Sequence, residues 1–265
     1  MFDETPAEAW TLRFGSSPPA LPELGKFLNH RSVRHYKPDP IPETTLQGLL
    51  AAAQSAATSS NLQLWSVVSI QDGDRRERMA MLCDDQDQVR HAACFLAFLV
   101  DHRRLTLAAN HVGWTAAGLD LTEFYTMAVV DAALAAERLV CSAESLGLGI
   151  CYIGALRDNP DGVAAELALP HGVFGLFGLA LGWPEEPLTA AIKPRLAPEN
   201  VWFREQYADA DVAEYDARMR EFYEAQKMKG DVTWSMRSGR RVNGERLKGR
   251  EHQLEWLKAH GFLVR

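Results

Sequence analysis

Two arginines, a histidine and a hydroxyl group lie within five residues in the segment His30-Arg31-Ser32-Val33-Arg34. An arginine guanidinium is a planar fork that can pair with two phosphate oxygens at once. The segment precedes a proline-rich turn at 38–42, so its chemistry suits a dianionic phosphate. On composition alone, a solvated basic turn is the favoured interpretation of the same residues.

A second pair of cations occurs in Lys193-Pro194-Arg195. Proline restricts the backbone and lowers the entropic cost of holding neighbouring charges in place. The segment follows Gly182-Trp183-Pro184, which ends an apolar run. Taken by itself it is also typical of an ordinary exposed turn.

Other common chemical motifs find no support in the chain. The four cysteines, at 83, 94, 141 and 151, form no CxxC pair, and we interpret them as buried free thiols. The eight histidines form no HExxH motif, and no GxSxG nucleophile elbow is present. Gly147-x-Gly149 follows a predicted helix rather than a strand, which argues against a Rossmann motif. No metal site is expected.

Composition points to a globular protein with small-molecule partners. The 265 residues are 47% hydrophobic and 24% charged, with a formal net charge of −7. This acidity argues against general binding to nucleic acid or anionic membranes. The first residues lack a secretory signal pattern, and the apolar run 94–100 is shorter than the roughly 20 residues that span a bilayer. We expect a cytoplasmic location.

Hydrophobic patterning predicts a few strands interleaved with longer helices. Strands are predicted at 64–70, 94–101, 150–156 and 173–181. Helices are predicted at 44–57, 75–83 and 121–145, the last ending at Gly147. The helix at 121–145 is apolar on nearly every side, which indicates burial in a core or a subunit interface. Residues 103–120 show no regular pattern.

The chain divides into three parts. Residues 1–20 are expected to form a flexible leader, and residues 21–205 a core of α+β class with three layers. Between Lys227 and Arg250 the chain has eight Lys/Arg residues against Asp231 and Glu245. We expect residues 206–265 to form an extended C-terminal excursion that packs on a partner.

Several stretches together resemble the nitroreductase superfamily, in particular its NADPH-dependent oxygen-insensitive nitroreductase/FMN reductase branch. In chain order they read HRSVRHYKPDPIPETTLQGLLAAAQSAATSSNLQLWSVVSI, AESLGLGICYIGALRDNP, LFGLALGWP followed by KPRL, DVTWS, and WLKAHGF. Each fragment alone is weak, whereas their collinear order is specific. The resemblance implies a central, mainly antiparallel sheet flanked by helices. It also implies an intertwined homodimer with FMN at the subunit interface.

The matched motifs imply how FMN is bound. Arg31 and Ser32 are expected at the phosphate with His30 adjoining, and Lys193 and Arg195 are expected to complete the phosphate clamp. These assignments come from the resemblance, which turns the basic segment from a plain surface turn into a ligand site.

Arg34 corresponds to a cation near N1 and O2 of the flavin. A fixed positive charge there stabilises the anionic reduced ring and raises its potential. Further ring contacts are expected from Thr58, Ser59, Asn61 and Gln63 of the other subunit. Gln86 is expected near the pyrimidine edge, with Gln88 or His91 as substitutes.

Tyr152-Ile153-Gly154-Ala155 matches the segment whose backbone N–H groups reach N5 or O4 of the flavin. Gly154 permits close approach. The family usually has a second glycine where this chain has Ala155, which narrows the room over the ring slightly. A simple strand end is the alternative interpretation.

The nucleotide preference stays open between NADPH and NADH. NADPH-specific relatives carry an arginine-rich loop, whereas 224–230 here is shorter and contains only two lysines. A lysine lacks the bidentate fork of arginine. Arg237, Arg240 and Arg241 are candidates to compensate, or they belong to an exposed arm.

The resemblance implies an FMN-dependent oxidoreductase that uses NADPH or NADH to reduce nitroaromatics, quinones or free flavins. Hydride transfer through flavin N5 in a ping-pong cycle needs no catalytic acid, base or nucleophile from the protein. Trp114, Phe124 and Tyr125 are candidates for the rim of the substrate slot. Two alternatives are a specialised flavin reductase that supplies a monooxygenase, and a non-catalytic flavin-binding protein.

Overall fold

The computed structural model describes residues 4–18, 27–244 and 247–263. Strands β1 to β4 are Trp65–Ile70, Cys94–Asp101, Gly149–Ile153 and Val173–Gly182. Helices α1 to α10 are Pro6–Phe14, Glu43–Gln54, Gly73–Leu82, Asp87–Arg90, Arg103–His111, Thr122–Ser145, Pro160–Leu167, Ala213–Ala225, Trp234–Val242 and Gln253–Ala259. The chain forms two compact units, Met1–Arg31 with Ala190–Leu247 and Ser32–Thr189 with Lys248–Arg265.

The larger unit, Ser32–Thr189 with Lys248–Arg265, contains one four-stranded sheet. Its strand order is β1-β2-β4-β3, and each neighbouring pair is antiparallel. This confirms the expected α+β class and antiparallel sheet. β2 is buried along its whole length, as its unbroken apolar run predicts.

Helices cover both faces of this sheet. On one face Leu179 and Leu181 of β4 pack in a cluster with Leu49 of α2 and Leu139 of α6. Alanines on α6 allow that helix to approach closely. On the other face a Cβ at Gly175 would lie 3.0 Å from Val163 of α7. The result is the three-layer arrangement that was expected.

Two of the departures from the sequence prediction in this unit lie close to the candidate site. The strand predicted at 150–156 ends at Ile153, where its pairing with β4 stops, and a 3-10 turn follows at Gly154–Arg157. The irregular stretch predicted at 103–120 begins with helix α5, whose Arg104 N–H bonds the Asp101 carboxylate at 3.1 Å. Asp101 lies at the end of β2, so the cap that it supplies to α5 depends on the fold. The start of this helix is therefore hard to infer from hydrophobic periodicity.

The smaller unit contains α1, α8 and α9. Helix α1 lies in the stretch expected to be a flexible leader, so regular structure was missed there. Thr5 and Glu8 form a capping box, since the Glu8 N–H bonds the Thr5 hydroxyl at 3.2 Å and the Thr5 N–H bonds the Glu8 carboxylate at 2.7 Å. Pro6 occupies the first helical turn. The proposed boundaries at 20/21 and 205/206 differ from those of the two units and stay a prediction.

Candidate functional site

The basic segment runs beside the edge strand β3. Ser32 pairs with Ile150 in a parallel bridge, and the Val33 N–H donates to the Ile150 carbonyl at 2.8 Å. A Cβ at Gly149 would lie 2.7 Å from the Val33 side chain, so glycine is needed for this close approach. Val33 is buried while Arg34 is exposed, which leaves the Arg34 guanidinium accessible to a ligand.

Arg31, in the smaller unit, is held by a carboxylate. Its Nη1 and Nη2 donate to the two oxygens of Glu4 at 3.1 and 2.6 Å, and its Nε donates to the Asn29 carbonyl at 3.1 Å. Only 6% of Arg31 is exposed. His30 is half-buried, and its carbonyl accepts from Arg13 at 2.8 Å. The bidentate fork expected for phosphate is thus engaged by an acidic side chain of the chain itself.

Lys193 and Arg195 lie on one side of an extended segment in the same smaller unit. Ile192 and Pro194 are buried, whereas the two cations between and after them are exposed. The Arg195 N–H donates to the Arg13 carbonyl at 2.8 Å. Tyr215 of α8 fixes the segment by donating to the Pro194 carbonyl at 3.0 Å. This alternation leaves both cations exposed, and their role in a phosphate clamp stays a prediction.

The polar break at 58–64 is organised around a buried carboxylate. Asp131 of α6, which is 1% exposed, accepts from the Thr58 hydroxyl at 2.5 Å and the Ser59 N–H at 2.9 Å. It also accepts from the Leu64 N–H at 3.2 Å. Ser60, Asn61 and Gln63 adopt left-handed backbone angles, with φ of 49°, 56° and 52°. Non-glycine residues rarely adopt this conformation, so the surrounding structure must impose it.

This break forms part of the wall of a cavity of about 700 Å³. Thr58, Asn61 and Gln63 line it together with Trp65 and Arg104. The Arg104 guanidinium donates to the Gln63 carbonyl at 2.8 Å and to the Trp65 carbonyl at 3.1 Å. Three of the four polar residues predicted at the break therefore share one cavity, while Ser59 contributes its backbone to the Asp131 anchor.

The end of β3 carries Gly154 beside two guanidinium groups. A Cβ at Gly154 would lie 3.5 Å from Nη2 of Arg157 and 3.9 Å from Nη1 of Arg250. Arg157 donates to the Leu176 carbonyl, and Arg250 forms an ion pair with Asp158. Ile153 and Ala155 are buried. Two guanidinium groups therefore lie beside the half-buried Gly154 at the end of β3, and the charge of one of them is balanced by Asp158.

Tyr152 points away from the buried side of β3. Its hydroxyl donates to the Glu137 carboxylate of α6 at 3.2 Å, and its ring contacts Phe177 edge-on. Burial, followed by the charge of Glu137, raises the pKa of the Tyr152 hydroxyl. Tyr152 is therefore protonated near neutral pH.

Gln86 immediately precedes α4, and its side-chain oxygen accepts from the Gln88 amide. The two glutamines considered for the pyrimidine edge thus bond each other. His91 follows the C-terminus of α4 and is exposed. The expected flavin contact of Gln86 stays a prediction.

A second, apolar cavity of about 500 Å³ is formed by α5 and the turn before α6. Leu105, Val112, Trp114 and Phe124 line it, and Trp114 is 74% exposed. Tyr125 instead packs edge-on against Phe262. Trp114 and Phe124 thus line one apolar cavity, and their place at the rim of a substrate slot stays a prediction, whereas Tyr125 packs on Phe262.

Sequence reasoning missed several residues that shape these sites: Glu4, Arg104, Asp131, Arg157 and Arg250. Arg157 lies within the matched fragment GALRDNP, and Arg250 lies in the basic stretch, so both carried a signal. Asp131 was the one acidic residue between Glu123 and Glu137 in an otherwise small and apolar helical stretch. A single carboxylate in such an apolar helix indicates that it is buried together with a polar partner.

Comparison with known proteins places the chain in a family. The Nitroreductase family matches residues 28–183, and the Nitroreductase family C-terminal domain matches residues 193–265. The chain belongs to the nitroreductase family. It is 36% identical over 250 residues to the oxygen-insensitive NADPH nitroreductase of Salmonella typhimurium, covering 92% of this chain and 99% of that relative.

Solved structures agree with this assignment. B. megaterium NfrA1 superposes with a TM-score of 0.84 at 32% identity, covering 90% of this chain and 98% of the other. The NADPH:FMN oxidoreductase from Vibrio harveyi, complexed with NAD+, superposes with a TM-score of 0.78 at 31% identity over 89% and 96% of the two chains. The nitroreductase fold expected from the motifs is therefore confirmed. Within the described ranges, no helix has the length and apolar character needed to cross a membrane.

Proposed function

We propose that this protein is an FMN-dependent NAD(P)H oxidoreductase that reduces nitroaromatics, quinones or free flavins by two-electron transfer. The chain is an NAD(P)H-dependent oxidoreductase of the nitroreductase family, since the relative from S. typhimurium is named as an NADPH nitroreductase and that from V. harveyi as an NADPH:FMN oxidoreductase. These names support the reaction class, and the choice among oxidants is our proposal.

The end of β3 is the observation that carries this proposal. Gly154 is half-buried and has no side chain, and the guanidinium groups of Arg157 and Arg250 lie beside it. Backbone N–H groups and fixed cations stabilise negative charge that develops on a ring edge, at no cost of reorganisation during the reaction. The donor set therefore fits the N5 and O4 edge of a flavin.

When bound, FMN supplies the hydride chemistry. We assign its phosphate to Arg31, Ser32, Lys193 and Arg195, with His30 adjoining. We assign its ring to Arg34 and the backbone of residues 152–155. Thr58, Ser59, Asn61, Gln63 and Gln86 complete the proposed contacts. The protein binds and orients the reactants, and no side chain in this set needs to act as a nucleophile.

The proposed electron donor is NADPH or NADH. The relative from S. typhimurium is named for NADPH, while the V. harveyi enzyme was solved with NAD+. The turn after α8 offers Lys227 and Lys229, and Arg237 contacts the Tyr223 ring with its guanidinium 5.1 Å from the centroid. An arginine packed on an aromatic ring is a weaker candidate for a 2′-phosphate than a free fork. We therefore propose that the protein accepts both nucleotides.

We further propose a cytoplasmic homodimer. Val130 and Leu134 of α6 are 48% and 43% exposed, which is a high exposure for aliphatic side chains on a long central helix. A second subunit covering this face would also bring the 58–64 break to its partner's flavin. Residues 206–265 are proposed to pack on the partner.

Anaerobic stopped-flow reduction tests the function directly. Protein loaded with FMN should bleach with either nucleotide, and the reduced protein should be reoxidised by nitrofurazone, a benzoquinone and free FMN. Reoxidation by free FMN alone would favour the specialised flavin reductase. A yellow protein that neither NADPH nor NADH bleaches would favour the non-catalytic flavin-binding protein and exclude our proposal.

A further inference from the structure

Glu4 and Arg31 form an ion pair in the smaller unit. The Arg31 side chain is 5% exposed and the Glu4 side chain 30%. Both Nη atoms of Arg31 donate to the two carboxylate oxygens, at 3.1 and 2.6 Å. This is the fork-to-fork arrangement in which arginine also binds phosphate. A carboxylate of the chain thus engages the edge of Arg31 that a phosphate group would use.

Glu4 is held in this position by folded structure. The Asn29 amide donates to the Glu4 carbonyl at 2.6 Å, and helix α1 begins directly after Thr5 with its capping box. Arg13 of α1 donates to the carbonyls of Leu28 and His30 at 2.8 Å. Helix α1 is therefore tied to the same backbone segment that carries Arg31.

The N-terminal segment lies outside the parts of the chain that match the family. The two matched family ranges, 28–183 and 193–265, include Arg31, Lys193 and Arg195 but not Glu4 or α1. The family phosphate motif is thus combined here with an acidic side chain from outside the matched ranges.

We propose that Glu4 competes with the phosphate of FMN for Arg31, so that the N-terminal segment restrains cofactor loading. This inference rests on the proposed function. The Nη edge cannot pair with both anions at once, and a carboxylate left beside a phosphate dianion adds like-charge repulsion. FMN binding therefore requires Glu4 to move away from Arg31.

Equilibrium binding of FMN and riboflavin to the full-length apoprotein tests the competition. Riboflavin has the same ring system without the phosphate, so the ratio of the two dissociation constants isolates the phosphate interaction. Flavin fluorescence quenching gives both constants without any turnover. Glu4→Gln removes the competing charge and leaves one oxygen to accept from Arg31. Glu8→Gln is the matched control, because it removes the same charge from the same segment and keeps the capping box.

Glu4→Gln should tighten FMN binding about tenfold, in line with the loss of one charge-assisted competitor, with riboflavin binding unchanged. Glu8→Gln should leave both constants at the wild-type values. Glu4→Asp, which keeps the charge on a shorter side chain, should give an intermediate result. Unchanged or weaker FMN binding by Glu4→Gln, in a wild type that does bind FMN, would overturn the competition and leave the proposed function intact. A wild type that binds neither flavin would instead defeat the proposed function and this inference together.

Discussion

Asp131 of α6 accepts a hydrogen bond from the Thr58 hydroxyl at 2.5 Å across 73 residues of sequence. The same carboxylate accepts the N–H groups of Ser59 and Leu64. Asp131 is fully buried, so these donors take the place of the water that would otherwise solvate its carboxylate. One side chain on the core helix therefore sets the conformation of the whole 58–64 break, including its three left-handed residues.

Replacing Asp131 by Asn should destabilise the fold. An amide has one oxygen in place of two, and its NH2 group would face a backbone donor. The loss of a buried, charge-assisted network predicts a decrease of about 2–4 kcal/mol in the free energy of unfolding. Urea denaturation measures it, with exposed Glu123→Gln on the same helix as control. Equal stabilities of the two variants would show that Asp131 does not anchor the break.

Gly154 and Gly149 should differ in how much stability an alanine substitution costs. At Gly154 the nearest atom to a new Cβ is 3.5 Å away, so Gly154→Ala should fold with a stability within about 1 kcal/mol of wild type. At Gly149 the Cβ would lie 2.7 Å from Val33, and overpacking there predicts a loss of about 1–3 kcal/mol.

Flavin affinity separates the roles of these two glycines. Gly154→Ala should weaken FMN and riboflavin binding alike, because the methyl group stands where the proposed ring edge approaches the backbone. Fluorescence titration and thermal unfolding give the two readouts. If Gly154→Ala binds both flavins like wild type, the ring does not approach this backbone.

The sheet was predictable because its strands are strongly patterned. β2 begins and ends where its apolar run does, and Gly147 has the left-handed φ of 83° expected after a helix. The helix predicted at 75–83 begins two residues earlier, at Gly73, because Asp72 caps α3 by accepting from the Arg75 N–H at 2.9 Å. Turn-forming residues and helix caps share the same composition, so sequence alone separates them poorly.

The candidate site was less predictable because its geometry depends on distant partners. Arg31 was recognised as a cation, but its pairing with Glu4 joins residues 27 positions apart. Asp131 and Arg250 meet their partners 73 and 92 residues away. Residue type indicates what a side chain can bind, whereas its actual partner depends on tertiary contacts that local patterns do not encode.

Arg34→Ala should lower the reduction potential of bound FMN while changing its affinity little. Arg34 is exposed, so its removal leaves the core intact. Loss of a cation beside the reduced ring predicts a shift on the order of 30 mV, which corresponds to about 1.4 kcal/mol for two electrons. Spectroelectrochemical titration measures the shift, and Arg34→Lys, which keeps the charge, should retain most of the wild-type potential.

Arg31→Ala should chiefly weaken FMN affinity, by about tenfold or more for loss of one bidentate contact, and leave the potential near that of wild type. Glu4→Gln in the same protein removes the carboxylate charge that faces Arg31 in the wild type. Equal losses of affinity in the Arg31 and Arg34 variants, with no change of potential in either, would contradict the division of roles.

His102 links the end of β2 to the C-terminal segment. His102 is 2% exposed, its ring packs on Phe262 with a centroid distance of 4.8 Å, and its backbone N–H donates to the Gly172 carbonyl. Burial lowers the pKa of His102 below its ordinary value of 6.5, partly opposed by the Phe124 backbone and the Asp101 charge. The folded protein therefore holds this imidazole neutral.

Acid should destabilise the protein through His102. In the unfolded chain His102 takes up a proton as the pH falls through about 6.5, while the folded state resists protonation until a lower pH. The contribution of the neutral imidazole to the free energy of unfolding is therefore complete above about pH 6.5 and is lost as the pH falls below it. Urea denaturation at pH 7.5, 6.5 and 5.5 should show a smaller decline for His102→Gln than for wild type, whatever its stability at pH 7.5. The exposed His111→Gln should follow the wild-type decline. Parallel pH dependence of wild type and His102→Gln would mean that other groups cause the acid sensitivity.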